Sequence, residues 1–226
     1  MSLAIMNDLF TNIDWSEISD ASVDTMFMLG FSVLFSTLIG IPVGLILFLT
    51  GKDNLLENKI IHNVLSFIIN VLRSIPFIIL LIMMIPLTSM LLGTSLGAKG
   101  TIPPLVMGAF PFFARLVENS LKEIDRGILS MAESCGATTW QIIWHILLPE
   151  VLPAIIASIT VTAIALVSYT AMAGAVGGGG LGDLAIRYGY QRFQTDVMIV
   201  TVVLMIVLVQ AIQMLGDFIV KVIRKK

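Results

Sequence analysis

Few residues in this chain could carry out chemistry, and their spacing excludes most reactions. Gly177, Gly179 and Gly182 satisfy G-x-G-x-x-G, the pattern that holds a dinucleotide when a strand precedes it and a helix follows. Here the pattern follows a long apolar run instead. Backbone flexibility with close helix packing, or a gate, are the readings that fit it. No G-x-x-x-x-G-K-[ST] phosphate loop is present, so any work drawn from ATP must come through another subunit. His62 and His145 fall on separate segments without cysteines or acids at ligand spacing, which predicts no metal site. Neither a Ser, His and Asp set nor a pair of intramembrane carboxylates can be assembled, so no catalytic residue is assigned. The single cysteine, Cys135, excludes an internal disulfide and reads as a small apolar packing residue. The 13 methionines read as flexible core filling.

What remains is a set of polar side chains inside a charge-free run: Ser158, Thr160, Thr162, Ser168, Tyr169, Thr170 and Met172. Hydroxyls there either bond back to their own helix or face an aqueous path for a small zwitterion. The expected path or gate is Ser168, Tyr169, Thr170 and Met172, because Tyr169 and Met172 are the bulkiest groups among small ones.

The elements that must position these groups are membrane spans. The chain is 57% hydrophobic and 12% charged, where a soluble domain is about 25% charged, and its mean hydropathy is +0.99. An all-α membrane protein with five transmembrane helices is predicted. Its net charge of -2 gives no reason to expect a nucleic-acid partner. Residues 1–24 are acidic, lack Lys and Arg, and are expected to be an extracytoplasmic N-terminal segment rather than a cleaved signal peptide. A transmembrane domain is expected over 25–217 and a cytoplasmic basic tail over 218–226.

The first span has no charge between Asp24 and Lys52, and its Gly40-x-x-x-Gly44 would admit a close neighbour. Residues 60–72 set His62, Asn63, Ser66, Asn70 and Arg73 along one stripe, an amphipathic lead-in near the interface. The second span, 75–92, should bend at Pro76 and Pro86. The third, 102–117, ends on Arg115 and Glu118, spaced i, i+3, and Arg115 is expected to snorkel to the interface. The fourth begins at Val151 and ends in a re-entrant or irregular tail before Gly182. The fifth is 197–216. Lys52, Lys59, Arg115, Lys122, Arg126, Lys221, Arg224, Lys225 and Lys226 then share the inner side, against Lys99, Arg187 and Arg192 outside. This asymmetry predicts a plasma-membrane protein with its N-terminus outside and its C-terminus cytoplasmic.

Between the third and fourth spans lies an amphipathic insert, residues 126–149, too polar to cross a bilayer. Ile128, Leu129, Met131, Ala132 and Cys135 share one helical face, and Gly136 suits a C-terminal cap. Thr138 or Thr139 can cap a second helix, whose Trp140, Ile143, Trp144 and Leu147 keep the helical rhythm until Pro149 stops it. Two short helices should therefore lie across the cytoplasmic surface.

The spacing Gly136-Ala137, then Ile146, then Leu148-Pro149, resembles the coupling loop of permease subunits of binding-protein-dependent ABC importers. That family opens the loop with Glu-Ala-Ala, where this chain has Ser130-Met131-Ala132; Glu133 is the nearest acid that could substitute. The stretches RSIPFIILLIMMIPLT from Arg73, PFFARLVENSLKEID from Pro111 and GAVGGGGLGDLAIRYGY from Gly174 are similar to methionine importer permeases. The resemblance implies an ABC type-1 permease fold and methionine import by alternating access. It implies ATPase coupling through Ala132, Glu133, Ser134, Cys135, Gly136, Ala137, Thr138 and Thr139. It implies as partners a second copy of the chain, two ABC ATPases that bind the ATP and magnesium, and an extracytoplasmic substrate-binding protein or lipoprotein, which the glycine run could dock. The chain itself is expected to bind no cofactor and to be no enzyme. A sibling importer of another small solute and a passive channel remain open, and a membrane-embedded enzyme fits least.

Overall fold

The computed structural model describes residues 13–224, which are almost wholly helical. Helix α1 spans Trp15–Thr50. It begins where Asp14 caps it, accepting from the N–H groups of Ser16 at 2.9 Å and Glu17 at 3.4 Å. The Ser16 hydroxyl, followed by the Glu17 and Ser16 amides, holds the Asp14 carboxyl below its ordinary range. Residues 15–24, part of the expected N-terminal segment, run into the first span as one helix and carry their acids on its first turns.

Helix α2 (Lys59–Ser74) and helix α3 (Phe77–Leu92) meet at 106° around Pro76. The proline has no N–H to continue a ladder, and its predecessor Ile75 is extended (φ −78°, ψ 124°). Helix α4 covers Gly97–Lys122, longer at both ends than its apolar run. The insert forms α5 (Arg126–Ser134) and α6 (Thr139–Ile142). A π-helical turn over Ile143–Leu147 then leads directly into α7 (Leu148–Gly174). After a glycine turn come α8 (Gly180–Leu184), a second π turn (Ala185–Tyr190) and α9 (Thr195–Ile223). Helix α9 carries Lys221, so most of the expected basic tail is helix. Among the described residues, four helical stretches are long and apolar enough to cross a membrane, and the bent α2–α3 pair, taken as one span, makes a fifth.

The core is the α1–α4 seam, the most extensive helix pair. Gly40 and Gly44 face it. A β-carbon on Gly40 would meet Phe113 Cδ1 at 2.5 Å, and one on Gly44 would meet the Ala114 carbonyl oxygen at 2.6 Å and Val117 Cβ at 2.8 Å. The expected close approach is therefore real, and its neighbour is α4. Gly44→Leu is expected to cost about 1–3 kcal/mol by overpacking this seam, read as a lower thermal midpoint of the solubilised chain. An unchanged midpoint would mean the seam can open freely.

Arg115 does not snorkel. Its guanidinium donates to Glu118 Oε2 at 2.6 Å, and to Ser66 Oγ at 3.0 Å and Asn70 Oδ1 at 2.9 Å on α2. Glu118 is fully buried and also takes Lys122 at 2.6 Å. A desolvated carboxylate keeps the Arg115 guanidinium inside rather than releasing it to an interface. The α2 stripe is likewise turned inward at Ser66 and Asn70, and His62 Nδ1 donates to the Leu47 carbonyl at 3.0 Å. The opposite face, with Ile60, Val64, Phe67 and Val71, is exposed. This suits an amphipathic helix set against lipid.

Most of the described Lys and Arg residues gather at one end of the bundle. The exits of α1, α4 and α9 and the start of α7 gather with α5 at one end, where Lys52, Lys122, Arg126 and Arg224 lie. At the other end the Gly97 N–H donates to the Gly177 carbonyl at 2.9 Å. There Arg187 ties Glu17 to Asp183, at 3.3 and 2.8 Å.

Candidate docking corner and helical cleft

The corner between α5 and α6 is built from local signals and then fastened to the core. Asp125 caps α5, its Oδ1 accepting from the Gly127 N–H at 2.8 Å. Gly136 ends the helix at φ +77°, with its N–H on the Glu133 carbonyl at 2.9 Å and the Ala137 N–H on that of Ala132 at 3.1 Å. This pair of bonds is the Schellman closure, which needs a left-handed residue. Of the two possible caps, Thr138 is used: its N–H donates to Gln141 Oε1 at 2.9 Å and its Oγ1 accepts from the Gln141 N–H at 3.4 Å, a capping box.

The buried side of this corner is Leu129 and Ala132 on α5 and Ile142, Ile143 and Leu147 beyond it. They join Phe48, Phe113, Val117 and Leu121 in one apolar cluster. Several expectations change accordingly. Ala132, named above among the coupling residues, is buried against the core beside the half-buried Ala137. Thr139 is half-buried. Glu133, Ser134, Gly136 and Thr138 are exposed, and so are Met131 and Cys135, which were expected to pack. The nine-residue α5 can turn only a narrow stripe inward, which Leu129 and Ala132 occupy.

Trp140 and Trp144 also face outward, 67% and 51% exposed, with their rings edge to face at 5.5 Å. The 3.6-residue rhythm placed them inside. Ile142, at the end of α6, and Ile143 and Leu147, in the wider π turn that follows, take the buried positions. Paired tryptophans beside a membrane surface were the available signal for an interfacial position. The same turn explains why Pro149 does not stop the helix. Its missing N–H falls where the regular ladder is already broken, and it starts α7 instead.

The expected path residues separate. Ser168 and Met172 line an open cleft of about 820 Å³ between α7 and α9, together with Ala171, Met205, Ile206 and Gln210. Tyr169 instead stacks on Phe77, centroids 4.4 Å apart and rings 4° from parallel. Thr170 is buried, its hydroxyl donating to the Val167 carbonyl at 2.8 Å. Ser158, Thr160 and Thr162 bond back to carbonyls of their own helix at 2.7–3.0 Å. Gln210 was missed, being one of few polar residues in the most apolar span.

The glycine run packs closely. A β-carbon on Gly182 would meet Ala171 Cα, and one on Gly180 would meet Thr25 Oγ1 at 2.6 Å. The Leu181 N–H donates to that same hydroxyl at 2.9 Å. The turn thus folds α8 back onto α7 and α1, which is the close-packing reading of its glycines.

Comparison with known proteins agrees with this geometry. Residues 36–226 match the family described as binding-protein-dependent transport system inner membrane component. A probable D-methionine transport system permease protein, MetI, of Vibrio cholerae is 46% identical over 218 residues, 96% of this chain and 93% of the relative. The methionine import system permease protein MetP of Bacillus subtilis is 46% identical over 217 residues, 96% of this chain and 98% of the relative. A solved inward-facing structure of the MetNI methionine ABC transporter superposes with a TM-score of 0.91 at 42% identity, covering 99% of both chains. A structureless surface loop would not need two caps and a buried face. The two-helix corner, the helical bundle and the family match over most of the chain agree, and the chain belongs to the binding-protein-dependent transport system inner membrane components.

Proposed function

We propose that this chain is the permease subunit of an ATP-driven methionine importer. The observation that carries this is 46% identity, across 96% of the chain, to permeases named for methionine transport. ATP hydrolysis then belongs to separate subunits that bind the nucleotide and magnesium, two per complex, and an extracytoplasmic receptor delivers the solute at the end where the glycine run lies. The end rich in Lys and Arg is the cytoplasmic one, which puts the N-terminus outside.

The cleft beside Ser168 and Met172 is open on one side, so a second copy of the chain is needed to close a route along a two-fold axis. The exposed ridge Glu133–Gly136 with Thr138 seats in a groove of each ATPase. Because Leu129, Ala132, Ile142 and Leu147 join that ridge to α1 and α4, displacement of the ridge moves the bundle as a body. ATP binding draws the two ATPases together and favours the outward-open state; hydrolysis releases it. Each state must therefore bind a partner differently.

The test is to co-purify the chain with candidate ATPases, reconstitute the complex, and measure which amino acids stimulate hydrolysis in the presence of the receptor. Stimulation by methionine is expected; stimulation by another solute alone would assign a sibling importer. Within that system Met172→Ala removes bulk over the cleft without touching the Tyr169–Phe77 stack. It is expected to raise ATP-independent leak of methionine from loaded proteoliposomes severalfold, and unchanged leak and uptake would remove Met172 from the path.

A further inference from the structure

At the basic end of the bundle, the exits of α1 and α4 and the starts of α2 and α5 enclose a cavity of about 430 Å³. Its polar lining is Lys52, Asn54, His62, Lys122 and Arg126, and no carboxylate lines it. The nearby acids stand outside the lining, and two of them pair with its cations. Glu118 holds Lys122 from the fully buried side, and Glu57 accepts from the Asp53 N–H at 3.1 Å. Asp53 reaches Arg126 only at 3.9 Å, with both side chains well exposed. Such a pair adds little, and each partner is free to exchange it for a better one. Lys52 makes no ion pair among the described residues.

The cavity sits where the apolar run of α1 ends, the level at which a bilayer spanned by that run would place its headgroups. Beside it lies α2, whose exposed Ile60, Val64, Phe67 and Val71 form an apolar strip. A recess that holds Lys52 and lies at the start of a helix whose opposite face is apolar matches a molecule with an anionic head and hydrocarbon chains. We propose that this cavity binds the phosphate headgroup of an anionic phospholipid, with the acyl chains along the outer face of α2. A volume of this size is within the ordinary range for small-molecule sites. Since Arg126 opens α5, the bound lipid would tie the base of the docking corner to the bilayer.

Native mass spectrometry of the full chain, with phosphatidylglycerol and phosphatidylcholine of matched chains, tests this. Phosphatidylglycerol is expected to bind the more tightly and to survive higher collision energy. Lys52→Gln, at an exposed side chain, should weaken that binding about fivefold, and adding Arg126→Gln about fivefold again. Arg192→Gln, at the opposite end of the bundle, should leave it unchanged, and millimolar inorganic phosphate should not displace the lipid. Equal retention of the two lipids, no effect of the double substitution, or an equal loss in Arg192→Gln would overturn the proposal. Displacement by phosphate alone would overturn it too, by identifying a free-anion site.

Discussion

Gly136→Asp is expected to abolish ATP-driven uptake by a permease that still inserts in the membrane and still pairs with its second copy. The position has φ +77°, and a β-carbon added there would meet no atom within 4 Å, so nothing in the chain itself obstructs a side chain. Two effects of substitution can therefore be separated. One is the left-handed backbone, which costs an L-residue about 1–2 kcal/mol and costs aspartate less than alanine. The other is an unpaired charge driven into a docking groove, at about 2–5 kcal/mol, or roughly thirtyfold or more in affinity. If backbone strain governs the site, Gly136→Ala is the more damaging change. If docking governs it, Gly136→Asp is, and alanine retains most uptake. Uptake into proteoliposomes together with retention of the ATPase on the tagged permease decides this; normal uptake by the aspartate variant would remove the corner from the coupling route.

Glu118→Ala is expected to lower the thermal midpoint of the solubilised chain more than any other single change considered. The carboxylate is fully buried between Arg115 and Lys122, each at 2.6 Å. Removing it leaves the Arg115 guanidinium, whose side chain is 17% exposed, without its counter-charge. Breaking a buried pair from one side costs about 3–5 kcal/mol, which is roughly 6–20 °C for a chain of this size. The loss should spread to α2, because the same guanidinium holds Ser66 and Asn70. Glu118→Gln with Arg115→Met, which removes both charges, should recover part of it. A double variant as unstable as the sum of its singles would show that the pair acts independently rather than as a unit.

The spans, the GxxxG seam and the amphipathic lead-in were legible in the residues because a bilayer imposes length and polarity on each segment by itself. The caps were legible for a similar reason: Gly136 and Thr138 act on atoms within a few positions of themselves. The inner and outer faces of the insert were not. Ala132 lies inside and Trp140 and Trp144 lie outside because a nine-residue helix and a widened turn are fitted against Phe48, Phe113 and Leu121, which stand far away in the chain. Arg115 looked like a residue reaching for water because its partners Ser66 and Asn70 stand 49 and 45 positions earlier. The stacking of Tyr169 was not legible because its partner, Phe77, stands far earlier in the chain. Patterns of polarity and turn chemistry thus determined which segments cross the membrane and where the short helices stop. Only the packed structure decided which side each short helix turns inward, because that choice is an energy of contact between segments and not a property of either one alone.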